Sequence, residues 1–252
     1  MTLEQLNERP LSYSSLKQFA ISPAHYMAYL NKPRKETTEL LFGSALHCIL
    51  LTPELFNDSY LISRKFDMRK TADKEEYNAL LSSAEQTGKK IIQDDMHTDL
   101  INLTDVVKEN SEFKWAISNS QTEKKHLFEL YGLPFVAIKD IVRDNLTIDI
   151  KTVQNASLEA INKDFFNYQY YLQAAIYGGN FAFYIVEKNE PYYNGLLQVE
   201  QDWIDYGLTK LEKLCSAFNY ALENPNSFKR SYDFWYDYDQ RKPIISLPNW
   251  AK

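Results

Sequence analysis

Two runs rich in β-branched residues, Ile138–Val142 and Leu146–Thr152, flank the polar triplet Arg143-Asp144-Asn145. Strand-forming residues on either side of a short polar turn specify an antiparallel hairpin. If Asp144-Asn145 form a two-residue loop, Asp140 falls opposite Asp149. Strand period two then sets Asp149 and Lys151 on one face, with Ile148 and Ile150 on the other. Carboxylates facing each other across a ladder repel unless something neutralises them. A divalent cation does this, and oxygen ligands suit Mg²⁺ or Mn²⁺. The ammonium of Lys151, one pleat along, is placed to orient a metal-bound water. A solvated polar face is the plainer meaning of any single D-x-K. The second aspartate at matching parity and the apolar opposite face favour the metal.

With 252 residues the chain can fill one large core or two modest ones. Glycines number only 7, and no Gly-rich phosphate loop occurs. The formal charge of −6 speaks against a non-specific DNA coat. It is compatible with an enzyme that meets DNA through a metal and a small basic channel. The many Tyr and Phe rings fill cores first, and only some of them are free to stack on bases or on a partner subunit. Cys48 and Cys215 lie in apolar runs and read as buried thiols. They are too few for an iron–sulfur cluster or a structural zinc site. The first residues lack the basic start and apolar run of a signal peptide, and no stretch approaches the ~18 apolar residues of a membrane span. A cytoplasmic protein is expected.

Along the chain, Leu11–Phe19 opens with hydroxyl caps and reads as a helix, and Ser22-Pro23 starts another, with Tyr26, Tyr29 and Leu30 on its apolar face. Ser14, Ser15 and Lys17 either serve capping or hold a phosphate at the helix N-terminus. Thr38–Leu51 is an almost wholly apolar helix in which Gly43 and Ala45 permit close approach of another backbone. His47 is the titratable side chain within it, either a hydrogen-bonded core residue or a ligand. Lys74–Ser83 and Ile91–Val107 carry helical periodicity. Lys65, Arg69, Lys70 and Lys74 form a basic region, either a solvated surface or a DNA contact. Glu123–Leu130 and Leu133–Val142 form a second hairpin, with Tyr131-Gly132 at its turn and Glu123 near the carboxylate pair. Ser157–Lys163 and Tyr168–Ala182 read as helices, the second with Gln173 and Tyr177 sharing a face. Phe183–Glu187 and Tyr192–Val199 read as strands, Asp202–Glu223 as a long helix, and Phe228–Trp250 as an aromatic, acidic tail. The order predicts one α/β (loosely α+β) domain over residues 1–252.

Gly43-Ser-Ala-Leu-His47, Glu123, Ile138-Lys-Asp140, Ile148-Asp-Ile-Lys-Thr152 and Gln173-Ala-Ala-Ile-Tyr177 follow one another in that order. The set resembles the PD-(D/E)XK nuclease superfamily and, more narrowly, the exonuclease VIII (RecE-type) group of phage recombination exonucleases. The likeness runs from Leu11 to the C-terminal Ile244–Lys252. It implies a restriction-endonuclease-like core, a mixed sheet with a central β-hairpin flanked by helices.

The resemblance also implies roles. Asp140 and Asp149 would be the core metal ligands, with the Ile150 carbonyl completing the set and His47 binding a second ion. Lys151 would position and help deprotonate the attacking water, and Glu123 would be an outer acidic member. Gln173 and Tyr177 would orient the lysine or the scissile strand, and Ser14 sits where relatives contact a terminal 5′-phosphate. Lys139 stands where the motif has proline and should point away from the site by parity. The implied activity is Mg²⁺-dependent 5′-to-3′ digestion of one strand of linear duplex DNA, with two ions per site and Mn²⁺ as a substitute. It would leave 3′ single-stranded tails for an annealing protein. The relatives form rings, so a homo-oligomer is expected, with a tetramer favoured over a trimer and the aromatic tail a possible subunit interface. The alternatives are an endonuclease on the same fold and a catalytically silent DNA-binding or assembly protein.

Overall fold

A computed structural model gives the fold of residues 3–32, 36–229 and 233–239. The chain enters through α1 (Leu3–Glu8), α2 (Tyr13–Ile21), α3 (Pro23–Asn31) and α4 (Thr38–Leu51). After α5 (Phe56–Ser59) come β1 (Tyr60–Ser63), α6 (Thr71–Thr87) and β2 (Lys90–Gln93). Helices α7 (Asp94–Glu109) and α8 (Ser111–Ile117) lead to β3 (Gln121–Leu130), β4 (Leu133–Arg143) and β5 (Leu146–Val153). Then α9 (Leu158–Asn167) and α10 (Tyr170–Tyr177) cross over to β6 (Asn180–Glu187). The last elements are β7 (Asn194–Gln198), α11 (Gln201–Glu223) and α12 (Asp233–Tyr238).

Strands β3-β4-β5-β6-β7 form a mixed five-stranded sheet with β5 at its centre. The β5–β6 pair is parallel, as a helical crossover requires, and the other pairs are antiparallel. The expected α/β architecture is therefore present. Ile141 pairs with Ile148 and Arg143 with Leu146, which leaves Asp144-Asn145 as the turn. That register carries Asp140 across from Asp149.

Both faces of the sheet are covered. Ile141, Ile148, Ile150, Ala182, Tyr184 and Val186 pack with α4, α7 and α8. On the other face Phe181, Phe183 and Ile185 pack with α9 and Ala174 of α10. Leu133 and Phe135 join the aromatic core of α2, α3, α10 and α11. Leu11 bridges to Phe135 of β4, and its N–H and carbonyl both bond that strand, so α2 starts from a fixed point beside the sheet.

Three expectations need correction. Ile91 and Ile92 are not helical: Lys90–Gln93 is β2, paired in parallel with β1, and the helix begins at Asp94. An isoleucine pair satisfies either period, and pairing with the distant β1 decides it. The helix read as Tyr168–Ala182 ends at Tyr177, because Gly178 and Gly179 take φ of 65° and 69°, and Asn180–Ala182 belongs to β6. The aromatic tail is core at its start: Phe228 and Phe234 are buried against Phe218 and Phe19. Residues 230–232 and 240–250 of that tail lie outside the described residues, as do Met1-Thr2 and Ala251-Lys252. No helix among the described residues is long and apolar enough to cross a membrane.

Gly43 is not sterically required, since a Cβ there would meet Thr152 Oγ1 at an ordinary 3.9 Å. Gly207 is. A Cβ on it would stand 2.2 Å from the Tyr171 carbonyl oxygen, where α11 crosses α10. Gly207→Ala should destabilise by about 1–3 kcal/mol, because backbone cannot yield as a flexible side chain does. Equilibrium urea unfolding measures it, and an unchanged midpoint would mean the helices have room to separate.

Candidate metal centre and active site

The acids form a row across three strands. Between the pairs Thr122–Ile141 and Lys124–Lys139, Glu123 stands across from Asp140, which in turn faces Asp149. Glu123 has φ of 49°, a left-handed conformation that costs a non-glycine residue about 1–2 kcal/mol. Thr122 next to it donates to the Leu51 carbonyl at the end of α4 (3.2 Å), tying this end of β3 to the helix that carries His47. One oxygen from each of Glu123 and Asp140 and one His47 nitrogen lie within 4.8 Å of one another.

The imidazole is held by the strand it overlies. His47 Nε2 lies 3.2 Å from the Ile150 carbonyl, which can only accept, so Nε2 carries the proton. Nδ1 is then the lone-pair nitrogen, 3.5 Å from Asp140 Oδ2 and 4.0 Å from Glu123 Oε1. Burial pushes the His47 pKa down, against the pull of Asp149, so the ring is neutral at neutral pH. A lone pair facing two carboxyl groups is met either by a proton that a carboxyl holds or by a cation between them. The donor set, one imidazole nitrogen and carboxylate oxygens, suits a divalent ion.

Asp140 is buried, and the Ile150 N–H donates to its Oδ2 at 2.7 Å. Burial, reinforced by Asp149, raises its pKa well above the carboxylate range. Glu123 is shifted the same way, again mainly by burial. Asp149 accepts from Gln173 Nε2 at Oδ1 (2.5 Å), while Lys151 Nζ lies 2.5 Å from Oδ2. The Lys151 ammonium is thus the partner of the buried Oδ2, which no other group in the protein reaches. Burial works against the Lys151 ammonium, but Asp149, Tyr170 and Asp140 outweigh it and hold the pKa above its usual value. Its ammonium also lies over the Tyr170 ring, 4.7 Å from the centroid.

The residues singled out from the sequence thus converge, with differences in detail. Asp149 is engaged with Lys151 and Gln173 rather than grouped with His47, and Glu123 takes its place beside the imidazole. The Ile150 carbonyl is bound to His47. Gln173 orients Asp149, and the Tyr177 hydroxyl donates to the Ile138 carbonyl (3.0 Å). Lys139 donates to the Tyr177 carbonyl (2.8 Å). Ser15 is consumed in a capping box with Ser12, whereas Ser14 is exposed. Lys17 comes near Lys151; burial and that second ammonium lower its pKa. Tyr13, Tyr168 and Tyr170, which surround the two lysines, escaped the sequence reading because nothing but crowded tyrosines marks them. Lys65, Arg69, Lys70 and Lys74 lie at the surface, where Arg69 pairs with Asp67. A cleft of about 670 Å³, lined by His47, Glu123, Ile150, Lys151 and Tyr170, opens the centre to solvent.

Between the ordinary carboxylate range and the raised value for Asp140, the folded state holds the extra proton. Metal-free stability should therefore fall as pH rises through that window. Asp140→Asn should flatten the fall and, without metal, raise stability at neutral pH by about 0.5–2 kcal/mol. The wild type should gain about 2.7 kcal/mol from a divalent ion at a hundred times its Kd, and the variant far less. Thermal unfolding with Mn²⁺ and with EDTA reads both. Equal gains in the two proteins would place the ion elsewhere.

Residues 12–231 match the family model described as a PDDEXK-like domain of unknown function (DUF3799). No curated protein sequence matches the chain significantly. Among solved structures, a protein from Eubacterium rectale described as a "putative exonuclease" is similar at 14% identity and TM-score 0.63, over 97% of this chain and 92% of that one. At such identity the likeness speaks for the fold. With the family match and the acid row, it establishes that the chain belongs to the PDDEXK-like DUF3799 family of the PD-(D/E)XK nuclease superfamily.

Proposed function

We propose that this protein is a divalent-metal-dependent exodeoxyribonuclease of the RecE type. It digests one strand of linear duplex DNA from 5′ to 3′ and leaves 3′ single-stranded tails for an annealing protein. The observation that carries the reading is the acid row, with Asp140 and Asp149 buried and Glu123 exposed, closed by Lys151 beside an open cleft. Acids this costly to bury are kept for chemistry.

His47, Glu123, Asp140 and Asp149 would hold the metal, with Mg²⁺ the cellular ion and Mn²⁺ competent. When bound, it supplies Lewis-acid stabilisation of phosphoryl charge and lowers the pKa of water from ~15.7. Lys151, held charged, has no lone pair with which to take a proton. It donates hydrogen bonds, orienting water and offsetting the charge that builds on the phosphate. Gln173 fixes the carboxylate of Asp149, and through it the position of the ammonium. Lys17 and the exposed Ser14 at the start of α2 are available to a 5′-phosphate. Residues 1–252 act as a single cytoplasmic catalytic domain in a ring of several subunits, a tetramer before a trimer.

Asp149→Ala and Lys151→Ala should each lower Mg²⁺-dependent nucleotide release from linear duplex by about 10²–10³-fold while remaining folded. Covalently closed circles should resist the wild type. Equal cutting of circles and linear DNA would make the protein an endonuclease, and unimpaired release by both variants would remove the site.

A further inference from the structure

The cleft explains the acids but not the rings and lysines on the other side of Lys151. Tyr170, which packs on the Lys151 ammonium, lies 5.7 Å from the Tyr168 ring. Lys17 Nζ sits 5.6 Å from that ring. Two residues back, at the end of α9, Phe166 lies 5.8 Å from Tyr206 of α11, and Lys210 Nζ lies 5.1 Å from Tyr206. Phe166, Tyr168 and Tyr206 are 49%, 53% and 39% exposed, high for large rings that solvent disfavours. A groove of about 330 Å³ between the end of α2 and α11 is lined by Tyr171, Tyr206 and Lys210, and also by Lys213, which is ion-paired with Asp239 in the same groove. Among the described residues neither Lys17 nor Lys210 has an acidic partner, and each lies over a tyrosine ring.

Half-exposed rings, interleaved with ammonium groups that lie over them without a carboxylate partner, suit a single nucleic-acid strand, whose bases can displace the ammonium from the ring face and whose phosphates can then take it up. Bases stack on any π-face, and phosphates meet the cations. Continuity with Lys151 and two ammonium groups left without carboxylates, Lys17 and Lys210, both select a polyanion. A duplex hides its base faces and could use only the charges.

We propose that Phe166, Tyr168 and Tyr206, with Lys17 and Lys210, form a stacking surface for single-stranded DNA leading to or from the cleft. The proposal rests on the nuclease reading for its direction, but not for the binding itself.

The test uses the full-length protein in EDTA and a fluorescent oligothymidylate of about 12 nucleotides, followed by anisotropy. A Phe166→Ala/Tyr206→Ala variant should bind it about ten-fold more weakly, with affinity for a blunt duplex little changed. A Phe166→Leu/Tyr206→Leu variant keeps the apolar bulk without the π-faces and should lose nearly as much. Unchanged oligothymidylate affinity in the folded leucine variant overturns the proposal, as does an equal loss on duplex. If affinity is unchanged but a concentration-dependent dimer disappears on sedimentation, the surface belongs to a second copy, and the proposal is overturned. Mg²⁺-dependent nucleotide release by the wild type is measured in parallel. Release together with unchanged oligothymidylate affinity removes the stacking surface and leaves the nuclease. Weakened affinity in the variants without wild-type release removes the nuclease and leaves the surface.

Discussion

Everything near the centre of this fold answers one electrostatic difficulty, the packing of Glu123, Asp140 and Asp149 onto neighbouring strands with two of them buried. An ionised carboxylate out of water is expensive unless paired or hydrogen-bonded. Partners within the protein satisfy only part of the need. Asp140 receives one backbone N–H, Asp149 one amide and one ammonium, and Glu123 a distant imidazole. The upward pKa shifts of Asp140 and Glu123 express what is left over. A divalent ion would discharge it.

The sheet turns that difficulty into geometry. Because β5 and β6 are buried on both faces, the hairpin cannot slip without driving Ile148 and Ile150 out of the α4 face. His47 is fixed by the carbonyl of Ile150, the residue whose N–H binds Asp140, so imidazole and carboxylate answer to one peptide unit on either side. From the opposite face α10 contributes Gln173 to Asp149 and Tyr170 to Lys151. The close crossing at Gly207 holds α10 against α11, so a glycine remote from the acids helps set their partners.

Much of this is legible in the sequence wherever a local pattern dictates it. The Arg143-Asp144-Asn145 turn with its flanking isoleucines gives the register, and the register gives the facing acids. The apolar run from Thr38 to Leu51 gives α4 to the residue. What stays hidden depends on distant contacts. Ile91-Ile92 fits a helix until β1 pairs with it, and Tyr168–Ala182 looks continuous until Gly178 and Gly179 turn. The proximity of Glu123 to His47 rests on a left-handed residue near the start of β3, which no propensity announces. Likewise the engagement of Asp149 by Lys151 and Gln173 depends on how α10 lies under the sheet.

The acid row is tested most directly by where a cation binds. Crystals soaked in manganese and measured at the metal's absorption edge should show anomalous density bounded by His47 Nδ1, Glu123 and Asp140, within reach of the Asp149 carboxylate. Density elsewhere, or none with the metal well above its solution Kd, would mean the acids are buried for some reason other than holding an ion.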